Sequence, residues 1–162
     1  MSTSSKISKV TLGIIVLLSI FIGLVATSQA ASLPTSLQGT YVVRNAVVFV
    51  NGYILQPTIK KISIPIGATG LKAVTSTKIK NVLAQNGAGT GLTVTITSKT
   101  TKTLALNITG SLATQLGTAD LLPGTNGTAV LSASGLKITV NVLGNISGFP
   151  VAGKQTVTLK KL

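Results

Sequence analysis

Leu92–Ser98 alternates without a break: Leu92, Val94 and Ile96 fall on one side, Thr93, Thr95 and Thr97 on the other. A period of two puts successive side chains on opposite faces of an extended strand, so this segment is a half-buried strand and not a helix. Lys99–Lys102 turns the chain, and Thr103–Thr109 repeats the pattern with Leu104, Leu106 and Ile108 inward. The two predict a hairpin. The same alternation recurs along the chain. Leu136, Ile138, Val140 and Val142 alternate with Lys137, Thr139 and Asn141, and Val157 and Leu159 alternate with Thr156, Thr158 and Lys160.

Thr40–Val50 (TYVVRNAVVFV) is rich in β-branched residues, and Asn51-Gly52 separates it from Tyr53-Ile54-Leu55. Asn-Gly between two apolar runs predicts a two-residue hairpin turn, because both central residues must take positive φ. Ile62, Ile64 and Ile66 form a further strand, placed at a sheet edge by Pro65, which has no N–H to donate. Leu71–Leu83 is expected to be a strand followed by a helical turn near Lys80–Ala84. Gly110–Gly127 reads as irregular, with a helical turn at Leu112–Leu116 and a short strand only from Ala129 to Ser132. Gly144–Gly153 reads as a loop. The expected class is all-β, an Ig-like or related antiparallel β-sandwich of seven to eight strands after an N-terminal hydrophobic segment.

That segment, Val10–Ala26, carries no charge, follows Lys6 and Lys9, and leads to Ser28-Gln29-Ala30. A basic start, an apolar middle and small residues at the end make a secretory signal cleaved between Ala30 and Ala31. Two other readings stay open. The run of about 17 residues lies at the lower limit for a retained membrane anchor. A type IV pilin-like start would be cut before the run and keep it as a filament helix, although Thr27–Gln29 and Pro34 interrupt such a helix early. The expected organisation is a signal peptide over 1–30, an N-terminal arm over 31–44 and a β-sandwich over 45–162. The mature protein is expected to be extracellular and to meet a membrane only during export.

The side-chain inventory excludes most chemistry. The 162 residues include no His and no Cys, and 14 bases face one acid, Asp120. No catalytic triad, carboxylate pair, Cys–His dyad or ordinary zinc or calcium site can be assembled from this set. No enzyme activity, cofactor or metal is expected. Asp120 is read as a loop or cap residue rather than a catalyst of a Lys–Asn isopeptide bond. The basic excess suits an anionic glycan or surface, but dispersed lysines and few aromatics argue against nucleic acid. Scarcity of carboxylates also suits an acidic exterior, where they would be protonated and could not serve as charged groups. A source living at neutral pH would contradict that hypothesis.

Three sequons, Asn107-Ile108-Thr109, Asn126-Gly127-Thr128 and Asn145-Ile146-Ser147, are candidate N-glycan acceptors in a secreted chain. Asn107 faces away from Leu104, Leu106 and Ile108, and Asn126 and Asn145 fall in expected loops. Export signal, cysteine-free β-domain, Thr/Gly/Val richness, sequons and near absence of acids together resemble the subunits of archaeal extracellular thread-type filaments. The resemblance covers the layout of the whole chain. It implies donor-strand complementation in a head-to-tail polymer of identical subunits, for adhesion or cell–cell contact. The implied donor strand is 31–44, with Leu33, Leu37, Tyr41 and Val43 as its plugs. An ordinary first strand paired within its own domain remains the alternative for those residues. So does, for the whole chain, a secreted or anchored module that binds anionic glycans.

Overall fold

A computed structural model describes residues 30–114 and 116–162. The signal segment expected over 1–29 lies outside the described residues. Ser32–Leu162 forms one compact unit, and of the separate Met1–Ala31 unit only Ala30 and Ala31 are described, both exposed.

The fold is all-β and antiparallel. Its strands are β1 (Gly39–Val50), β2 (Tyr53–Leu55), β3 (Ser63–Ile66), β4 (Leu92–Lys99), β5 (Thr103–Thr114), β6 (Gly117–Leu121), β7 (Asn126–Ser132), β8 (Gly135–Ile146) and β9 (Phe149–Lys161). Among the described residues one α-helix, α1 (Ser76–Leu83), lies between β3 and β4. All nine strands belong to one continuous sheet in the order β2-β1-β9-β8-β6-β5-β4. β3 pairs with β1 below β2, and β7 lies between β5 and β8 below β6. Inward residues from β1, β8 and β9 join those of β4 and β5 in one core, as in a sandwich whose layers run into each other.

β1 shows how the sequence encodes both register and faces. Tyr41 and Val43 point inward, and so do Ala46, Val48 and Val50. The parity changes at Arg44, where the register against β9 slips from Val43–Leu159 to Asn45–Thr158. One extra residue in a bulge moves the following side chains to the other face, so one strand keeps its apolar residues inside on both sides of the bulge. The β1–β2 turn has positive φ at Asn51 (48°) and Gly52 (86°), as a type I′ turn requires.

Three expectations are corrected. Leu71–Leu83 contains no strand: Gly70–Ala73 is a 3-10 turn, and α1 begins after Thr75, whose hydroxyl accepts from the Lys78 amide. That is an ordinary N-cap. Ile79, Val82 and Leu83 are buried at helical spacing. Leu112–Leu116 is no helical turn, because β5 runs on to Thr114 and keeps Leu112 inward. Gly144–Gly153 is no loop: Ser147 and Gly148 alone take positive φ, and the flanking strands pair from Ile146–Phe149 onward.

α1 and the residues before it cover an edge of β4. Ser76 Oγ accepts from the Ile96 amide at 3.3 Å, and Lys99 Nζ donates to the Val74 carbonyl at 3.0 Å. A charged residue and a covering helix are common protections of an exposed edge.

Candidate functional site

Residues 31–44 are open in sequence to two readings, an arm serving as donor strand or an ordinary first strand of their own domain, and from Leu33 onward they are folded into that domain. Leu33, Tyr41 and Val43 are all buried in its core, and Leu37 is half-buried against it. The Leu33 amide donates to the Ala68 carbonyl at 2.7 Å, and the Leu33 carbonyl accepts from Gln38 Nε2 at 2.8 Å. The Tyr41 hydroxyl donates to the Leu37 carbonyl at 2.7 Å. The boundary expected at 44/45 falls on the β1 bulge, inside a strand that is paired with β9 on both sides of it. The physical reason is that apolar residues point inward on both sides of the bulge, Tyr41 and Val43 before it and Ala46, Val48 and Val50 after it, so a strand ending at Arg44 would divide one continuous inward face. Of the expected arm, only residues 31–38 precede β1.

Burial raises the pKa of Tyr41 above its ordinary value of 10.0. The neutral phenol is therefore favoured in the folded state. Its contribution is complete below the unfolded value and is lost as pH rises through the folded one. Unfolding followed against pH is expected to show stability falling above about pH 10. Tyr41→Phe should flatten that fall and cost about 1 kcal/mol at neutral pH for the lost hydrogen bond. An alkaline fall of equal size in both proteins would refute the assignment to Tyr41.

The two ends of the sandwich differ chemically. One end carries the β1–β2, β5–β6 and β8–β9 turns. There Phe49, Tyr53, Ile54, Leu116, Leu143 and Phe149 are exposed, and Asp120 lies on β6, opposite Asn145. Asp120 is thus a strand residue, not the loop or cap residue expected. The other end carries the β4–β5 and β7–β8 turns and residues 33–38. Lys72, Lys99, Lys102, Lys137, Lys160 and Lys161 are all exposed there. Several of these ammonium groups bind backbone carbonyls: Lys99 reaches Val74, and Lys161 reaches Ser36.

At the apolar end a slot separates β2 from the end of β5. Among the described residues β2 pairs with β1 alone, and Leu112–Thr114 pairs with β6 on one side and no strand on the other. Two cavities lie along the slot and share Leu55 and Thr114. One, of about 280 Å³, is lined by Val48, Leu55, Gln56, Pro57, Gly87, Ala113 and Thr114. The other, of about 120 Å³, is lined by Val50, Tyr53, Leu55, Thr114 and Leu116. Gln155 braces the chain beside it: buried at an inward position of β9, it donates through Nε2 to the Leu83 and Asn86 carbonyls, both at 3.1 Å. Asn86, also buried, donates to the Val82 carbonyl and accepts from the Lys60 amide. The sequence reading missed the slot. The available signals were the unusually short β2, ended by Pro57, and a glutamine at an otherwise apolar inward position.

The sequons are all on strands. Asn107 is exposed on β5, and Asn126 is the exposed first residue of β7. Asn145 is half-buried near the end of β8, opposite Pro150 and Asp120. The neighbouring glycines suggest loops at Asn126 and Asn145, but Gly127 and Gly144 lie within strands, and only Gly124 and Gly148 sit in turns. Among the described residues no helix is long and apolar enough to cross a membrane, and Val10–Ala26 lies outside them. Comparisons with protein-family models, curated proteins and solved structures returned no match.

Proposed function

We propose that the protein is a structural subunit of an extracellular cell-surface filament, joined head to tail by strand addition and serving adhesion or cell–cell contact. The observation that carries this reading is the slot between β2 and β5. Strand addition needs free main-chain groups along an edge and recesses for alternate side chains. The slot borders two such edges and contains two adjacent cavities. Residues 33–38 pack at the opposite end of the sandwich, so a segment leaving one subunit there would meet the slot of the next. A contact between unlike ends repeats without closing and produces an open fibre.

The donor is then shorter than the sequence suggested. Tyr41 and Val43 stay in β1, while Leu33 and Leu37, four residues apart, face the same side of an extended strand. Eight residues reach about 26 Å when extended. Exchange replaces docking of Leu33 in its own domain by docking in a neighbour's. A second reading, a module for anionic glycans, is favoured by the six exposed lysines at the other end.

The protein purified from its source is expected to have Ala31 as its N-terminus and to form fibres in negative stain. Leu55→Lys places a charge in both cavities of a half-buried site and should leave folded monomers that do not polymerise. Monodisperse wild-type monomers with an Ala31 terminus under every condition tried would overturn the proposal. A terminus near Val10 would favour the type IV pilin-like start, and Met1 or Ser2 an anchored module.

A further inference from the structure

We infer that Asn107 and Asn126 are mutually exclusive glycan acceptors, with Asn107 the one occupied. The inference rests on the reading of the chain as an exported glycoprotein. The two residues are register partners on the neighbouring strands β5 and β7. Both are exposed on the outer face. Directly opposed residues on an antiparallel pair have Cβ atoms about 4.5–5.5 Å apart. A pyranose ring with its hydroxyls fills that spacing, so a sugar on one asparagine occupies the space in which the other's would begin.

The neighbours on either side decide which residue is used. Asn126 lies between Asn107 and β8, and its Oδ1 already accepts from Asn141 Nδ2 at 2.8 Å. Glycosylating Asn126 would crowd the sugar from two sides and disturb that bond. Asn107 has Asn126 on one side and the shorter Thr95 of β4 on the other, so a sugar there can lean over β4.

The modification is a glycosyl transfer from a lipid-phosphate-linked oligosaccharide. Asn107 Nδ2 loses one proton and bonds to C1 of the first sugar. The C1–O bond to the carrier breaks, and the phosphate leaves with the electron pair. Either Asn107 or Asn126, once modified, keeps the outer face of β4, β5 and β7 free of subunit contacts and confines assembly to the ends of the sandwich.

The test uses protein isolated from its source and cut after lysine. No Lys or Arg lies between Lys102 and Lys137, so one peptide, Thr103–Lys137, carries both sequons. Intact mass and electron-based fragmentation of that peptide count and place the glycans. The expected result is one glycan per peptide, on Asn107. Doubly modified wild-type peptide should fall roughly tenfold or more below the product of the occupancies that Asn107 shows in Asn126→Gln and Asn126 shows in Asn107→Gln, the size of an ordinary overpacking penalty. In Asn107→Gln the glycan should move to Asn126. Double occupancy at the product of the single values overturns the exclusion, as does an Asn126 that stays bare in Asn107→Gln. Glycan on Asn126 alone in the wild type overturns the assigned order. A peptide without sugar in both proteins, with Asn145 also bare, overturns the exported-glycoprotein reading itself.

Discussion

Gly153→Ala is expected to be among the most damaging single added methyls in the domain. A Cβ at residue 153 would fall on the carbonyl oxygen of Phe49, with the Phe49 carbonyl carbon and Val50 Cα each at 2.9 Å. The obstructing atoms are backbone, so no side chain can rotate away. Gly153 faces Val50 in the β1–β9 ladder, and relief requires parting strands that hold Val48, Val50 and Val157 in the core. Overpacking costs about 1–3 kcal/mol where neighbours can shift, and roughly 3 kcal/mol or more is expected here. That is a large share of a typical net stability of about 5–15 kcal/mol. The measurement is the urea midpoint of Ser32–Leu162 followed by circular dichroism. Gly148→Ala is the comparison: its φ is +86° but nothing lies within 4 Å of an added Cβ, so about 1 kcal/mol is expected. Equal midpoints for the two variants would contradict the close approach of β9 to β1.

Leu33→Ala carries the second large effect, because it asks whether the segment ahead of β1 is docked or free. Leu33 is 1% exposed and belongs to the core. Truncating a buried leucine to alanine costs about 2–5 kcal/mol, depending on how far the site collapses. The domain should stay folded, with a lower urea midpoint and an unchanged slope. Hydrogen exchange adds a local reading: the Leu33 amide, bound to the Ala68 carbonyl, should lose protection before amides in β8 and β9 do. A free arm predicts no change in either measurement. In a polymer the same substitution should weaken the joint between subunits, so fibre length and monomer stability should fall together.

How much of this could be read from the residues depended on whether local pattern and tertiary structure agreed. The Asn51-Gly52 hairpin and the β4–β5 pair were legible because a two-residue turn signal or a strict period of two settles them alone. The latter half of β5 was not: Gly110 interrupts the apolar count, although Leu112 continues the parity of Leu106 and Ile108. Gly144 misled in the same way. A side chain at either glycine would meet neighbouring backbone, at Gly91 for Gly110 and at Asp120 for Gly144. These glycines therefore mark close strand approach, not loops. α1 was half-visible, because Ile79, Val82 and Leu83 have helical spacing while the surrounding Thr and Val residues suggest a strand. The slot was hidden for a different reason. It is defined by what does not pair, and an unpaired edge leaves no periodic trace in sequence. The placement of Leu33, Tyr41 and Val43 was ambiguous for the same cause: an apolar strand looks alike whether its partner is its own sheet or another copy's.

The pairing of β1 with β9 also bears on when the domain can close. The first long strand of the domain is completed by the last, with Tyr41 opposite Lys161. Contacts so distant in sequence form late, because the intervening chain must be ordered before they contribute. A nascent chain that has emerged only as far as β8 therefore lacks the ladder at the centre of its sheet. On the proposed export route, such a chain would stay threadable in a narrow pore and close only once residues 153–161 had cleared it. The strand order that makes the finished domain stable also delays its closure until the last strand is available.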